Sequence, residues 1–244
     1  VERAGLTIRE IYLQPLAAGT FALTKDEINH GTAFIDIGGD TTTVSLFEER
    51  HLIRTTIIPI GGEHVTKDIA IVLKTPTEEA RKIQYEFGHA YSNDASAEEV
   101  FDVVSISSST TEQYSQKEVS HIIEARLEEL FEYILQELYD MGVDDLPGGI
   151  VLTGGTTKLE GILPLAVDVL KTRVRIHVPT YLGVREPMYT TSVGLIQYAA
   201  AEDRFFGTKA APVVDERSDS FVEEHEFFDD DDDYDDYYEE EPRR

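Results

Sequence analysis

The stretch TAFIDIGGDTTT, Thr32 to Thr43, runs from an apolar strand through paired glycines into a second, threonine-rich strand. Thr32–Ile37 is a short β-branched and aromatic run ending at Gly38-Gly39, and alternation resumes from Thr42 to Phe47. The glycines permit a sharp turn and bring bare backbone N–H groups against an anion. Asp36, at the end of the first strand, is placed to orient a magnesium-bound water, and the threonine hydroxyls add donors. The same residues also describe an ordinary glycine hairpin capped by an aspartate, and short glycine motifs recur by chance.

Downstream, Leu52–Ile60 is a third β-branched run after the polar turn Glu48-Glu49-Arg50, and it ends at Gly61-Gly62. Short turns between these runs predict antiparallel neighbours. The period then changes. Val65, Ile69, Val72 and Leu73 share one face of a helix. Thr75-Pro76-Thr77-Glu78 predicts another helix, capped by Thr75 and stopping near Gly88. Ser92–Thr111 is polar and mixed, with a strand expected at Val103–Ile106. Ser115 to Glu118 forms a capping box opening the clearest helix of the chain, with its apolar stripe from Val119 to Leu138 and its end at Gly142.

A second glycine motif follows. GGIVLTGGTT, Gly148 to Thr157, is a buried strand, then Gly154-Gly155, then a helix expected from a third capping box, Thr157 to Glu160, through Leu170. This arrangement presents backbone donors to a polar ligand with no side chain in the way. A βα loop that merely needs glycine reads the same. Val174–Val178 is expected as a strand and Pro187–Ala201 as a helix. Upstream of the first motif, Leu6–Leu13 reads as a strand, Leu16–Leu23 as a helix, and the region from Asp26 to Gly31 as a turn.

Composition excludes several classes. The chain of 244 residues has no cysteine, so thiolate metal sites and disulfides are out. A net charge of −27 speaks against nucleic acid as a partner. Asp215–Arg244 alone holds 16 acids and 3 bases, net −13, and reads as a disordered acidic tail. No run of roughly 18 apolar residues occurs, so no membrane-spanning helix is expected. The seven histidines show no ligand spacing, and no serine sits in a nucleophile elbow.

Taken together, the order strand–DIGGDTTT–strand–turn–strand–GG–helix, followed much later by VLTGGTT–helix, resembles the ATPase domain shared by actin, sugar kinases and heat-shock chaperones. Within that superfamily the stretches RAGLTIREIYLQPLAAGTFALTKDE, IIPIGGEHVTKDIA, TEEARKIQYEFGHA, ARLEELFEYI and MYTTSVGL resemble the FtsA family of bacterial cell-division proteins, collinearly from about Val1 to Ala201. The acidic tail lies outside the resemblance.

The resemblance implies ATP and Mg²⁺ as cofactors. Asp36 matches the aspartate that holds magnesium through water and stands as the candidate catalytic residue. Gly38, Gly39, Asp40 and Thr41 match a phosphate loop, and Gly61 and Gly62 glycines near the ribose. Gly154, Gly155 and Thr156 match an adenosine loop, with Lys158 one turn on. Glu79 and Lys82 align with a helix flanking base and sugar, where a solvated charged face is an equal reading. Arg126 and Glu129 match a helix that docks the C-terminal peptide of FtsZ, with Lys117 adding positive charge; a solvated i,i+3 ion pair is the plainer alternative.

The expected fold is α/β: one actin-like, ribonuclease H-like lobe with a smaller inserted α/β subdomain. Residues 1–30 would end the first lobe (subdomain 1A). Residues 31–74 and 145–201 would form the core of the second (2A), residues 75–144 the insertion (2B), and residues 202–244 the tail. The resemblance further implies a scaffold that assembles into filaments, recruits FtsZ and other divisome proteins, and works at the cytoplasmic face of the cell membrane at the septum. At most slow ATPase activity is expected, and none from this piece alone. The first phosphate loop is expected upstream of Val1, and a basic amphipathic membrane helix beyond Arg244. The rival readings are a sugar-kinase-like phosphotransferase, a chaperone and a filament protein of the MreB type.

Overall fold

A computed structural model describes residues 1–5, 7–8, 10–106 and 111–206. Of the tail expected over residues 202–244, residues 207–244 lie outside the described residues. Among the described residues, seven strands and seven α-helices follow one another as α1 (Gln14–Ala22), α2 (Lys25–His30), β1 (Thr32–Ile37), β2 (Thr42–Glu48), β3 (His51–Ile58), α3 (Gly62–Val72), α4 (Thr77–Phe87), β4 (Val100–Val104), β5 (Thr111–Ser115), α5 (Gln116–Asp140), β6 (Gly149–Thr153), α6 (Ile162–Leu170), β7 (Val174–Ile176) and α7 (Thr190–Phe206).

Five strands make one sheet in the order β3-β2-β1-β6-β7. β1, β2 and β3 pair antiparallel, as their short turns predict, whereas β6 lies parallel to β1, with Asp36 opposite Thr153. The parallel pairing requires a long excursion between β3 and β6, and the segment that makes it carries α3, α4, the separate β4–β5 hairpin and α5.

Both faces of the sheet are covered, so its central strands are apolar on both sides. Ala33, Ile35 and Ile37 of β1 and Ile150 and Leu152 of β6 point to a large cluster built with α3, α5 and α6. Phe34 and Val151, the alternate residues, point to a smaller cluster with Ala18 and Ala22 of α1 and Ile28 of α2. α5 belongs to the large cluster through Ile123, Leu127, Leu130, Phe131 and Ile134, so the hydrophobic core runs unbroken from the sheet into the excursion.

Several local expectations are corrected. The residues described between Leu6 and Leu13 form no strand: a strand needs a partner, and none of them pairs with a strand of either sheet. The expected turn after Asp26 is instead the helix α2, opened by a reciprocal capping box in which Thr24 Oγ1 accepts from the Glu27 N–H and Glu27 accepts from the Thr24 N–H at 2.8 Å. Thr75 does not cap α4. Its hydroxyl donates to the carbonyl of Val104 at 3.1 Å, tying the helix entry to β4, and Pro76 takes the cap position. Thr157 opens no α-helix either: Gly155–Lys158 is a single 3-10 turn, and α6 starts only at Ile162. There the Thr157 hydroxyl donates to the Gly154 carbonyl at 2.7 Å. At the other end, α7 runs on to Phe206 past the expected stop at Ala201. The box at Ser115 is present as expected, with Ser115 N–H donating to Glu118 at 2.7 Å. Such a cap is worth about 1 kcal/mol.

Candidate functional site

The three glycine motifs, separate in sequence, meet at the carboxyl ends of β1 and β6. Gly38 is the meeting point. Its carbonyl accepts the Gly62 N–H at 3.0 Å and the Thr156 hydroxyl at 2.8 Å, while its own N–H donates to Thr41 at 2.9 Å and closes the turn. The next carbonyl, of Gly39, accepts the Glu63 N–H at 2.8 Å. The first amides of α3 thus satisfy the carbonyls of the loop. Among the described residues, the N–H groups of Gly39, Asp40 and Thr41, at the exposed tip, have no backbone acceptor outside the strand ladder. Their donors are available to an anion.

Two glycines are there because backbone passes too close for a side chain. A Cβ on Gly61 would stand 2.5 Å from the carbonyl oxygens of both Gly38 and Gly39. Gly154 has φ +96°, and a Cβ there would lie 2.4 Å from Asp36 Oδ1 and from the Ile37 oxygen. The second motif therefore rests directly on the aspartate of the first.

Asp36 is half-buried. Its Oδ2 accepts from the Thr191 hydroxyl at 3.0 Å and from Gln14 Nε2 at 3.2 Å. Burial pushes its pKa up, and the hydrogen bonds from Thr191 and Gln14 only partly offset this. Thr191 is fixed by its neighbour: the Thr153 hydroxyl donates to Thr190 at 2.7 Å and seats the start of α7 on the end of β6. Gln14 and Thr191 were not singled out from the sequence. Both lie in the family-like stretches, and a polar side chain at the start of an otherwise apolar helix was the available signal for Gln14.

The side chains of the remaining candidates pair with one another or with Glu186 and not with the residues of this junction. Glu79 and Lys82 pair with each other along α4 at 3.1 Å on a partly exposed face, the arrangement of a solvated helix face. Lys158 pairs with Glu186 at 3.1 Å.

A second feature lies between α3 and α5. A groove of about 390 Å³ is lined by Ile71 and Val72 of α3 and Ile122 and Ala125 of α5, with Asp68, Arg126 and Glu129 at its rim. Arg126 bridges the two helices: its guanidinium donates to Asp68 through Nε at 2.5 Å and through a terminal nitrogen at 3.1 Å, and it also pairs with Glu129. Ile71 and Val72 are 72% and 55% exposed. They are apolar residues left over once Val65 and Ile69 have met the core. Asp68 and Ile71 escaped the sequence reading, and Val72, expected on one face with Val65, Ile69 and Leu73, is exposed while those three are buried. The apolar surplus in DIAIVL was their signal. Lys117 lies nine residues before Arg126 on the same helix, which at 3.6 residues per turn puts it on the opposite side.

Comparison with known proteins bears on the family and the fold. A family model described as cell division protein FtsA matches residues 33–194. The cell division protein FtsA of Bacillus subtilis (strain 168) is 52% identical over 209 residues, covering 86% of this chain and 48% of that protein. The chain belongs to the FtsA family. The FtsA of Pseudomonas aeruginosa is 40% identical over 204 residues, 81% of this chain and 49% of that protein. The chain thus spans about half the length of these FtsA relatives. Among solved structures, MreB5 of Spiroplasma citri bound to ADP superposes with a TM-score of 0.70 at 16% identity, over 85% of this chain and 65% of that one. The MamK double helical filament gives 0.56 at 17%, over 77% and 58%. These likenesses establish the actin-like α/β fold. The identity to FtsA proteins decides for FtsA over an MreB-type protein.

Proposed function

We propose that this chain is the nucleotide-responsive, FtsZ-recruiting half of a cell-division scaffold. The observation that carries the nucleotide part is the convergence of three glycine motifs on the carbonyl of Gly38. Gly39, Asp40 and Thr41 would hold phosphates by their free amides with Gly38 shaping the turn, Gly61 and Gly62 would border the sugar, and Gly154, Gly155 and Thr156 the adenosine, with Glu79, Lys82 and Lys158 at its margin. The solved structure of MreB5 of Spiroplasma citri is bound to ADP, which supports the assignment by analogy.

Magnesium fits the residues present in one way. No cluster of three or more acidic or histidine side chains exists among the described residues. Asp36 supplies a single half-buried carboxylate whose Oδ2 is already engaged. Mg²⁺ commonly keeps several waters and takes one or two carboxylates plus phosphate oxygens, so Asp36 would hold it through water. The ion would neutralise charge between the phosphates, and a nearby cation would relieve the cost of ionising Asp36.

Residues 75–144 would act as subdomain 2B, residues 31–74 and 145–201 as 2A, and residues 1–30 as the end of 1A. The groove beside Arg126 would take the C-terminal peptide of FtsZ. An apolar anchor would fill the space over Ile71 and Val72, and a peptide carboxylate would compete with Asp68 and Glu129 for the guanidinium. Self-association into filaments, contacts with other divisome proteins, and a location at the cytoplasmic face of the division septum complete the proposal. No described helix is long and apolar enough to cross the membrane, so membrane contact would use a C-terminal amphipathic helix outside the described residues. Hydrolysis would be slow at most.

Fluorescence anisotropy with a labelled FtsZ C-terminal peptide tests the recruiting role. Saturable binding that weakens about tenfold in Arg126→Ala and in Ile71→Asp is expected. No binding by a folded chain, or equal binding by both variants, overturns it.

A further inference from the structure

Glu63 stands second in α3, and its carboxylate stem flanks the phosphate-loop candidate: a Cβ on Gly39 would lie 3.6 Å from Glu63 Cγ. The Glu63 N–H is itself bound to the Gly39 carbonyl. An acidic side chain at this spot opposes an incoming polyphosphate, because like charges a few ångströms apart repel. Across from it, Arg81 of α4 grips the carboxylate with both terminal nitrogens, one of them at 2.9 Å. Lys67, one turn along α3, adds a weaker attraction. Neither Glu63 nor Arg81 is buried, and a surface ion pair of this kind contributes little to stability. Its location matters more than its strength: it joins the helix that caps the glycine loop to the helix that follows.

We propose that Arg81 is a positioning residue for the nucleotide's phosphates, holding Glu63 turned toward α4 and neutralised so that its charge does not oppose them at Gly39–Thr41. This rests on the nucleotide reading above. Released from Arg81, the Glu63 side chain would be free to swing over the loop tip, where the exposed amides of Gly39 and Asp40 are the nearest donors. The penalty would scale with the charge on the ligand and not with its base or sugar.

The charge dependence separates this role from mere bracing of α3 on α4. Binding of adenosine, ADP and ATP is measured by calorimetry on the full-length protein, with Mg²⁺ held constant. Arg81→Ala is expected to weaken ATP by about tenfold, ADP by less, and adenosine hardly at all. Glu63→Gln placed in the Arg81→Ala background is expected to recover most of the ATP affinity, since no bare carboxylate remains. If Arg81→Ala weakens all three ligands equally, or if the double variant is as weak as the single, the pair is only a brace and the inference fails. If the unsubstituted protein binds adenosine and ATP alike, Glu63 has no phosphate to oppose and the inference fails with the phosphate loop. If it binds no nucleotide at all, the whole reading of the glycine junction fails.

Discussion

The glycine junction and the α3–α5 groove are built from opposite materials. At the junction the contacts are made by backbone: the carbonyls of Gly38 and Gly39 meet amides of α3, and Gly61 and Gly154 leave no room for a Cβ. In the groove the contacts are made by side chains on two helices: Arg126 reaches Asp68 fifty-eight residues away, and the apolar floor is whatever α3 did not need for the core. A backbone junction demands one residue type at a fixed place and is intolerant of change. A side-chain groove tolerates substitution structurally and loses only its ligand.

The sharpest break of that contrast is Gly154→Ala. The added methyl meets Asp36 Oδ1 and the Ile37 oxygen at 2.4 Å from a backbone at φ +96°, so a loss of about 3 kcal/mol is expected in denaturant unfolding. A near-neutral result would mean the junction is plastic, and the contrast would collapse. Arg126→Ala is next. It should cost about tenfold in peptide affinity, or about 1.4 kcal/mol, while moving the unfolding midpoint little, because its ion pairs are partly exposed. A large loss of stability would make Arg126 a brace of the core and not a docking group.

Asp36→Asn probes the cost of the junction. Burial raises the pKa of Asp36 above its ordinary 3.8 in the folded state. The folded chain therefore holds this proton more tightly than the unfolded chain does. The contribution of Asp36 to stability is fully present below pH 3.8 and is lost as pH rises through the raised folded value. At neutral pH the asparagine variant should accordingly be more stable, by on the order of 1 kcal/mol. The gap should close as pH falls below that of the folded carboxyl, and the same variant should bind nucleotide less well. Equal stability of the two proteins across the acid range would show that Asp36 is not strained by its burial. The smallest effect is expected for Ile71→Asp: within about 0.5 kcal/mol in stability, since Ile71 is 72% exposed, yet with the groove's peptide affinity down about tenfold.

The two regions also differ in how far they were legible. The glycine motifs stood out in the primary structure because a turn that brings backbone to a ligand needs glycine, and a strand before it needs β-branched residues. Arg126 and Glu129 were singled out through family likeness, but Asp68 was not, since no local rule links positions on two helices. Capping chemistry misled twice in the same way. Thr75 and Thr157 carry the cap pattern, but the hydroxyl of Thr75 reaches Val104 and that of Thr157 closes a 3-10 turn. Conversely α2 has a full capping box but only six residues and too few apolar positions to show a period. Leu6–Leu13 has strand-like composition and no partner among the described strands.

The amino-acid sequence by itself determined the element types wherever a period ran long enough, the antiparallel order of β1 to β3, the glycine turns at three strand ends, and membership of an actin-like family. Those properties are local: they follow from side-chain periodicity, β-branching and the conformations only glycine allows. The tertiary structure alone decided that the three turns share one carbonyl, that Asp36 is gripped by Gln14 and Thr191, that Arg81 holds Glu63, and that α5 joins the core of the sheet. Each of these depends on the distance between residues far apart in the chain, and that distance is set by how the layers pack, which no single segment encodes.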